Sequence, residues 1–380
     1  MKPRPLACAI ALAGTLASAW VAADEMDPSV ERLVVNRADC LAADGQSTTG
    51  VRCVRDDVAF KRLINQYGFL IAPSAMHSAR TTGFGGFHLA LEAQYTGIDA
   101  DAEYVKLGTR GEVDPSTEAG ALSNENPASV LQLYSLKVRK SFGFGFEITG
   151  AIGLVPKTAL AVGGADVRLS LLEGFRAPDW PGYLPDVAAG GGVRTITGTA
   201  AFQLTVASFD AQVSKPITLA GASVLTPWVG FQYVWIFGDS GLVDMTPGTD
   251  PIGYCNYAGD NLPGNPDPTK TADDGATPLY DGQPICLGGS REDFNNNTVF
   301  DEARFERQRL LFGLAYRYEM VNVGLEFITD MVSPAKAQVG GGTTTLRDTT
   351  GAKLGEIDDA ELLADEKPQW TVVVELGTTF

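Results

Sequence analysis

Apolar and polar residues alternate through one stretch of this chain after another, with a period of two. At the C-terminal end Trp370, Val372, Val374, Leu376 and Phe380 share one face, and Thr371, Glu375, Gly377 and Thr379 share the other. Such alternation marks a strand with two unlike faces, because successive side chains of extended backbone point to opposite sides. The same pattern sets Phe87, Leu89, Leu91, Ala93 and Tyr95 against His88, Glu92, Gln94 and Thr96. It recurs with Tyr134, Leu136 and Val138, with Phe144, Phe146, Ile148 and Ile152, with Val167, Leu169 and Leu171, and with Phe202, Leu204 and Val206. Leu225, Val229, Phe231, Tyr233, Trp235 and Phe237 form the longest apolar face. Leu310, Phe312, Leu314 and Tyr316 follow, then Val321, Val323, Leu325 and Phe327. Residues 187–197 are the weakest candidate, blurred by Gly190, Gly191 and Gly192. Ten strands are predicted in an all-β, antiparallel fold.

A two-faced terminal strand closed by an aromatic residue, Phe380, resembles the C-terminal insertion signal of bacterial outer-membrane proteins, with Trp370, Val372, Val374, Leu376 and Phe380 as its apolar face. Thr378 departs from that signal, which usually has a bulkier residue two before the end. The resemblance covers residues 82–380. It implies a transmembrane up-and-down β-barrel of about ten strands, with eight or twelve as alternatives. It further implies a place in the bacterial outer membrane among lipid and lipopolysaccharide, reached through periplasmic chaperones and the barrel-assembly machinery. In such a barrel the odd-numbered connections lie outside and are long, and the even ones are short periplasmic turns. The three longest connections, 99–129, 239–302 and 331–368, are all odd, and Phe142-Gly143-Phe144 and Glu319-Met320 are tight even turns. The fifth connection, 198–200, is short for an outer loop. Pro216 to Gly238 holds no charge and is long enough for a membrane helix. Pro227 at its middle and the Val, Ile and aromatic residues after it favour a strand instead.

Met1-Lys2-Pro3-Arg4, the apolar run Leu6 to Ala23 and the small residues Val21-Ala22-Ala23 read as a cleavable secretion signal over residues 1–23. Its removal takes Cys8 and leaves two close pairs, Cys40/Cys53 and Cys255/Cys286, which suggests two disulfides in an oxidising compartment. A metal site is the poorer account, since the only histidines, His77 and His88, lie outside both intervals. Residues 24–81 do not alternate. Asp56 to Tyr67 reads as a short helix with Val58, Leu63 and Tyr67 on one face. The segment is expected to be a periplasmic extension, a plug in the lumen, or a loosely packed leader stapled by Cys40 and Cys53. The formal net charge of -17 argues against nucleic-acid binding. Segments 99–129, 239–302 and 331–368 carry net charges of -5, -10 and -3, so the acidity lies in the expected outer loops.

The polar faces put Glu92, Glu147, Glu326 and Glu375 in the lumen with Lys137, Arg139, Arg168, Arg194, Arg309 and Arg317. A barrel this narrow is nearly filled by side chains. These charges therefore either pair and close the interior or line a narrow polar pore. Asp293, Asn295, Asn297 and Asp301 alternate like the start of a calcium loop, the sole cofactor candidate. Thr298 stands where that loop needs Gly, and Arg304 where it needs its last ligand, so a polar loop is the better account. Ten-stranded outer-membrane proteases use carboxylates and histidine near the outer rim, and no histidine lies in an outer connection here. No enzyme activity is expected. The leading expectation is a narrow passive channel for small polar solutes; the alternative is a closed barrel acting as a structural or surface-interaction protein through its acidic outer loops.

Overall fold

In the computed structural model of the protein, ten antiparallel strands close on themselves into one barrel. The structure describes residues 24–40, 53–112, 123–173, 184–219, 223–246, 297–331, 342–363 and 366–380, together with the backbone of four short strands between 255 and 286. The expected secretion signal lies outside the described residues. The barrel strands are β1 (Phe87–Gly97), β2 (Val130–Ser141), β3 (Phe146–Leu154), β4 (Ala161–Leu172), β5 (Asp186–Thr197), β6 (Phe202–Ser214), β7 (Ser223–Ser240), β8 (Ala303–Tyr318), β9 (Val321–Asp330) and β10 (Trp370–Thr379). Each pairs with its neighbour in the chain, and β1 closes the circle on β10 from His88 opposite Thr379 to Thr96 opposite Thr371. Closure removes both sheet edges, so every strand finds backbone partners without water.

Four connections, 142–145, 173–185, 215–222 and 319–320, join the strands at one end, and five, including 98–129, 241–302 and 331–369, join them at the other. In outer-membrane-type barrels the end with short turns is the periplasmic one. Outside, Leu91, Ile152, Phe209, Phe312, Leu325 and Leu376 stand exposed as an apolar belt, while their strand neighbours are buried or half-buried. Strands β7 and β8 outrun the rest: Ala303–Gln308 continue beyond the last paired residue of β9, Asp330, which lies opposite Arg309. The 187–197 stretch forms β5 in full despite its glycines. Phe144 belongs to the turn before β3 rather than to the strand, with a left-handed φ of 61°.

Residues 57–77 of the N-terminal segment lie inside the barrel. Helix α1 (Asp57–Ile71) starts where the Asp56 carboxylate accepts the Ala59 amide at 2.9 Å, an N-cap. It ends before Pro73, whose ring disfavours a helical predecessor; Ala72 is extended, with ψ 139°. The helix runs four residues beyond the expected Tyr67, and its apolar set differs from the expected face. Phe60, Leu63, Ile64, Tyr67, Leu70 and Ile71 are all fully buried, whereas Val58 is only partly so. A helix enclosed by a barrel meets wall on every side, so its apolar residues need not form one stripe. Gly68 lets it approach the wall: a Cβ there would lie 2.5 Å from the Ile236 side chain.

This packing reverses one expected face. Phe202, Leu204 and Val206 of β6 point inward against α1, where the alternation alone predicted lipid contact. They share parity with the buried Ser208, Asp210, Gln212 and Ser214 further along the same strand. Val234 and Ile236 of β7, Leu131 and Leu133 of β2, and Phe305 of β8 complete an apolar sleeve around the helix.

Candidate functional site in the barrel lumen

The lumen divides into three tiers, set by which side chains the inward parity of each strand presents. The outer tier is the sleeve around α1. Buried ion pairs tie the helix to the outer loops there. Lys61 Nζ lies 3.0 Å from both carboxylate oxygens of Asp359, 3.1 Å from the Thr343 carbonyl, and is as buried as its partner. Asp359 follows the hairpin Thr343–Arg347/Lys353–Asp358, which therefore sits over the helix. Just before the helix, Arg55 reaches Asp57 at 3.0 Å and Asp301 at 2.6 Å. Short helix α2 (Glu103–Gly108) adds Tyr104, which donates to Glu366 at 2.7 Å and accepts from Gln66 of α1 at 2.8 Å. Burial, with Glu366 beside it, pushes the Tyr104 hydroxyl above its ordinary range.

The middle tier holds the charged residues that the alternation placed inside, arranged in pairs. Lys137 meets Glu92 at 2.7 Å and Ser74 of the inserted segment at 2.6 Å. Arg139 meets Glu147 at 3.2 Å, Arg168 meets Asp210 at 3.1 Å, and Arg194 meets Asp166 at 2.6 Å. Arg309 donates to Gln232 and, at 2.9 Å, to the Pro73 carbonyl, with its guanidinium 4.8 Å from the Phe69 ring centre. Arg307, beside it, pairs with Asp330 and lies 4.3 Å over the same ring. Glu326 accepts from the Trp228 indole at 3.2 Å. Wall and inserted chain thus satisfy each other: Arg168 also bonds His77, and Gln212 and Gln232 bond the carbonyls of Ala75 and Pro73. Pairing of this kind offsets the cost of burying the charges of Lys137, Arg139, Arg168, Arg194 and Arg307, whereas Arg309 is met by neutral acceptors and Glu326 keeps one oxygen, Oε2, without a hydrogen-bond partner among the described residues.

The tier at the short-turn end is a vestibule of about 370 Å³, lined by Met76, His77, Arg139, Trp228, Arg317 and Glu375 among others. Here the seam between β1 and β10 is clasped by His88, whose Nδ1 lies 3.0 Å from Thr379 Oγ1 and whose Nε2 lies 3.2 Å from Glu375 Oε1. Below Met76 the inserted chain continues along the wall, where Arg80 pairs with Asp186 at 3.1 Å, to the rim and enters β1 at Phe87. Arg317 lies exposed at this end of β8.

Of the other predicted residues, Cys40 and Cys53 form a disulfide just before α1. Cys255 and Cys286 are placed directly opposite each other in a pair of short antiparallel strands, and their side chains lie outside the described residues. Trp370, Val372, Val374, Leu376 and Phe380 face outward on the closing strand. The calcium arrangement does not assemble among the described residues. Asp293 and Asn295 lie outside them, Asn297 sits in a short strand opposite Asp244, and the Asp301 oxygens accept from Arg55 and from the Thr345 amide. No group of acidic, histidine or cysteine residues suited to a metal ion occurs among the described residues. Sequence reading missed Lys61, Asp359, Ser74 and Asp210 because their partners lie far away in the chain. One cue was available: the apolar residues of segment 57–71 spread well beyond a single narrow stripe, as they do on a helix with neighbours on several sides.

No family model and no curated protein matches the chain. Among solved structures, it is similar to Ail, the attachment invasion locus protein of Yersinia pestis, at 7% identity and a TM-score of 0.23, over 78% of this chain and 100% of that one. It is also similar to the translocator domain of the autotransporter NalP from Neisseria meningitidis, at 8% identity and a TM-score of 0.27, over 79% and 89% of the two chains. These likenesses concern the fold alone. What classifies the chain is its own build: a closed, even-stranded antiparallel barrel, apolar outside, polar within, with short turns at one end and long loops at the other. The chain has the fold of a closed, ten-stranded antiparallel β-barrel of the transmembrane type.

Proposed function

We propose that this protein is a closed outer-membrane barrel that works as a structural and surface-interaction protein, rather than as a standing channel. The observation that carries this reading is the filled lumen. Helix α1 and the chain after it run the length of the barrel, and their contacts are those of a core. An apolar sleeve surrounds Phe60, Leu63 and Tyr67, and below it Arg309, Arg168 and Lys137 of the wall bond Pro73, His77 and Ser74. A solute pathway needs a wet, continuous line of polar groups, and the outer tier offers packed apolar side chains instead. The vestibule of about 370 Å³ ends blindly against Met76 and Trp228 on this reading. What remains for the outside is the set of long connections. Segments 98–129, 241–302 and 331–369 rise from the outer rim, and they carry most of the protein's acidity.

Planar-bilayer recording tests the reading. Protein purified folded, as verified by heat-modifiable gel migration, is expected to insert without stepwise conductance. Steady ion conductance from the wild-type chain at low voltage would overturn the closed-barrel reading and restore the narrow channel.

A further inference from the structure

We propose that the barrel presents its own N-terminal chain on the outer face of the membrane, so that whatever polypeptide precedes Asp24 in the folded protein emerges at the cell surface. This inference concerns the side on which the chain emerges, and it holds whether or not the barrel conducts.

The direction of the inserted chain carries the argument. Strand β1 begins at the short-turn end: Phe87 pairs with Lys140, beside the 142–145 turn, and exchanges backbone bonds of 2.8 and 3.1 Å with Phe380. The residues just before β1 are at the same end, since Thr82 meets Ser141 at 2.5 Å. Going backwards, Ser74 and His77 lie in the middle tier and Phe69 beside Arg307 and Arg309. Phe60 stacks on Phe300 of the seventh connection, with ring centres 4.6 Å apart, and Arg55 bonds Asp301 of the same loop. The chain has therefore crossed the whole barrel by residue 55, and the described residues before it do not turn back.

Residues 25–34 instead dock onto the outer connections. Met26 N donates to the Lys157 carbonyl at 3.0 Å, in the loop between β3 and β4. In the loop between β1 and β2, Ser29 N donates to Gly108, and the Arg110 and Gly111 amides donate to Asp27 and Glu25. Pro28 forms a β-bridge with Thr109, and Asn124 Nδ2 donates to the Glu25 carbonyl at 3.0 Å. Met26, Val30 and Leu33 are fully buried in this dock, and the Tyr67 hydroxyl donates to the Met26 carbonyl at 2.8 Å. Asp24 itself is exposed. Six outer-end contacts in two separate loops fix the exit, and the Cys40–Cys53 disulfide lies on the same side, between dock and helix.

There is a physical consequence for assembly. A closed hydrogen-bonded barrel with a packed lumen has no opening through which segment 25–55 could later pass, so it must cross while the β1–β10 seam is still open, or the barrel must close around it.

The experiment uses the full chain in intact cells, with one short epitope inserted at a time: between residues 23 and 24, between 262 and 263 in the outer 241–302 connection, or between 177 and 178 in the periplasmic 173–185 connection. The expected result is that antibody, and protease added outside, reach the first two on intact cells and the third only after the outer membrane is permeabilised. An N-terminal epitope hidden until permeabilisation, with the 262 epitope accessible, would overturn the proposal. Access to the 177 epitope alone would overturn it too, by reversing the barrel's orientation. Heat-modifiable migration of each tagged protein shows that its barrel is folded.

Discussion

Replacing Lys61 by Met is expected to loosen the inserted helix without dissolving the barrel. The Lys61 ammonium is the cation that faces Asp359, 3.0 Å from both its oxygens, and the two side chains are 1% and 0% exposed. Without it, Asp359 keeps the Thr344 hydroxyl at 2.5 Å but has no counter-charge among the described residues of this buried site. Breaking a buried pair by removing one partner costs about 3–5 kcal/mol. At about 1.4 kcal/mol per factor of ten, the population with α1 undocked from the 342–363 loop rises roughly a hundredfold to a few thousandfold. The strain can be relieved by separating helix and hairpin, so the damage falls on the plug, while the ten-strand hydrogen-bond ladder stays intact. Two assays read this out in lipid: protease cleavage within residues 54–80, and transient conductance steps in planar bilayers. Lys61→Met/Asp359→Leu removes both charges and is expected to return close to wild type, since apolar replacement of a buried pair is often neutral. A single variant within threefold of wild type, or a double variant as loose as the single, would refute the reasoning.

Gly68→Ala is expected to destabilise the docked helix by about 1–3 kcal/mol through overpacking on Ile236, although alanine is the better helix former. Ile236→Val in the same chain is expected to recover part of that loss in the protease assay, and no recovery would count against the close approach. Spin labels at Leu204→Cys and Phe209→Cys, in a background with the native cysteines replaced, separate the two faces of β6. Lipid-soluble oxygen should broaden the signal at 209 and spare 204, because Leu204 is buried and Phe209 is 51% exposed. Replacing Cys40 and Cys53 together by Ser releases a loop of 13 residues' separation and is expected to cost the dock about 3 kcal/mol. Faster cleavage before Asp57 in the protease assay would report it, and unchanged cleavage would show that the packing of Met26, Val30 and Leu33 suffices.

The sequence by itself determined the wall. A period of two is a property of each strand alone, so the ten strands, the outward set Trp370, Val372, Val374 and Leu376, and the alternation of short and long connections were all legible before any pairing was known. The inward charges were legible for the same reason, since Glu92, Lys137 and Arg168 interrupt apolar neighbours at fixed parity. What lay inside the barrel was not. Alternation distinguishes two faces but does not say which faces lipid, and the surroundings of an inward face depend on what fills the lumen. Phe202, Leu204 and Val206 are apolar and inward only because α1 arrives beside them from more than 130 residues away in the chain. The Lys61–Asp359 pair, separated by 298 residues, has no local signature at all. Tertiary structure alone decided that helix 57–71 packs as core, because burial of a helix is settled by its partners and these are supplied by the closed wall.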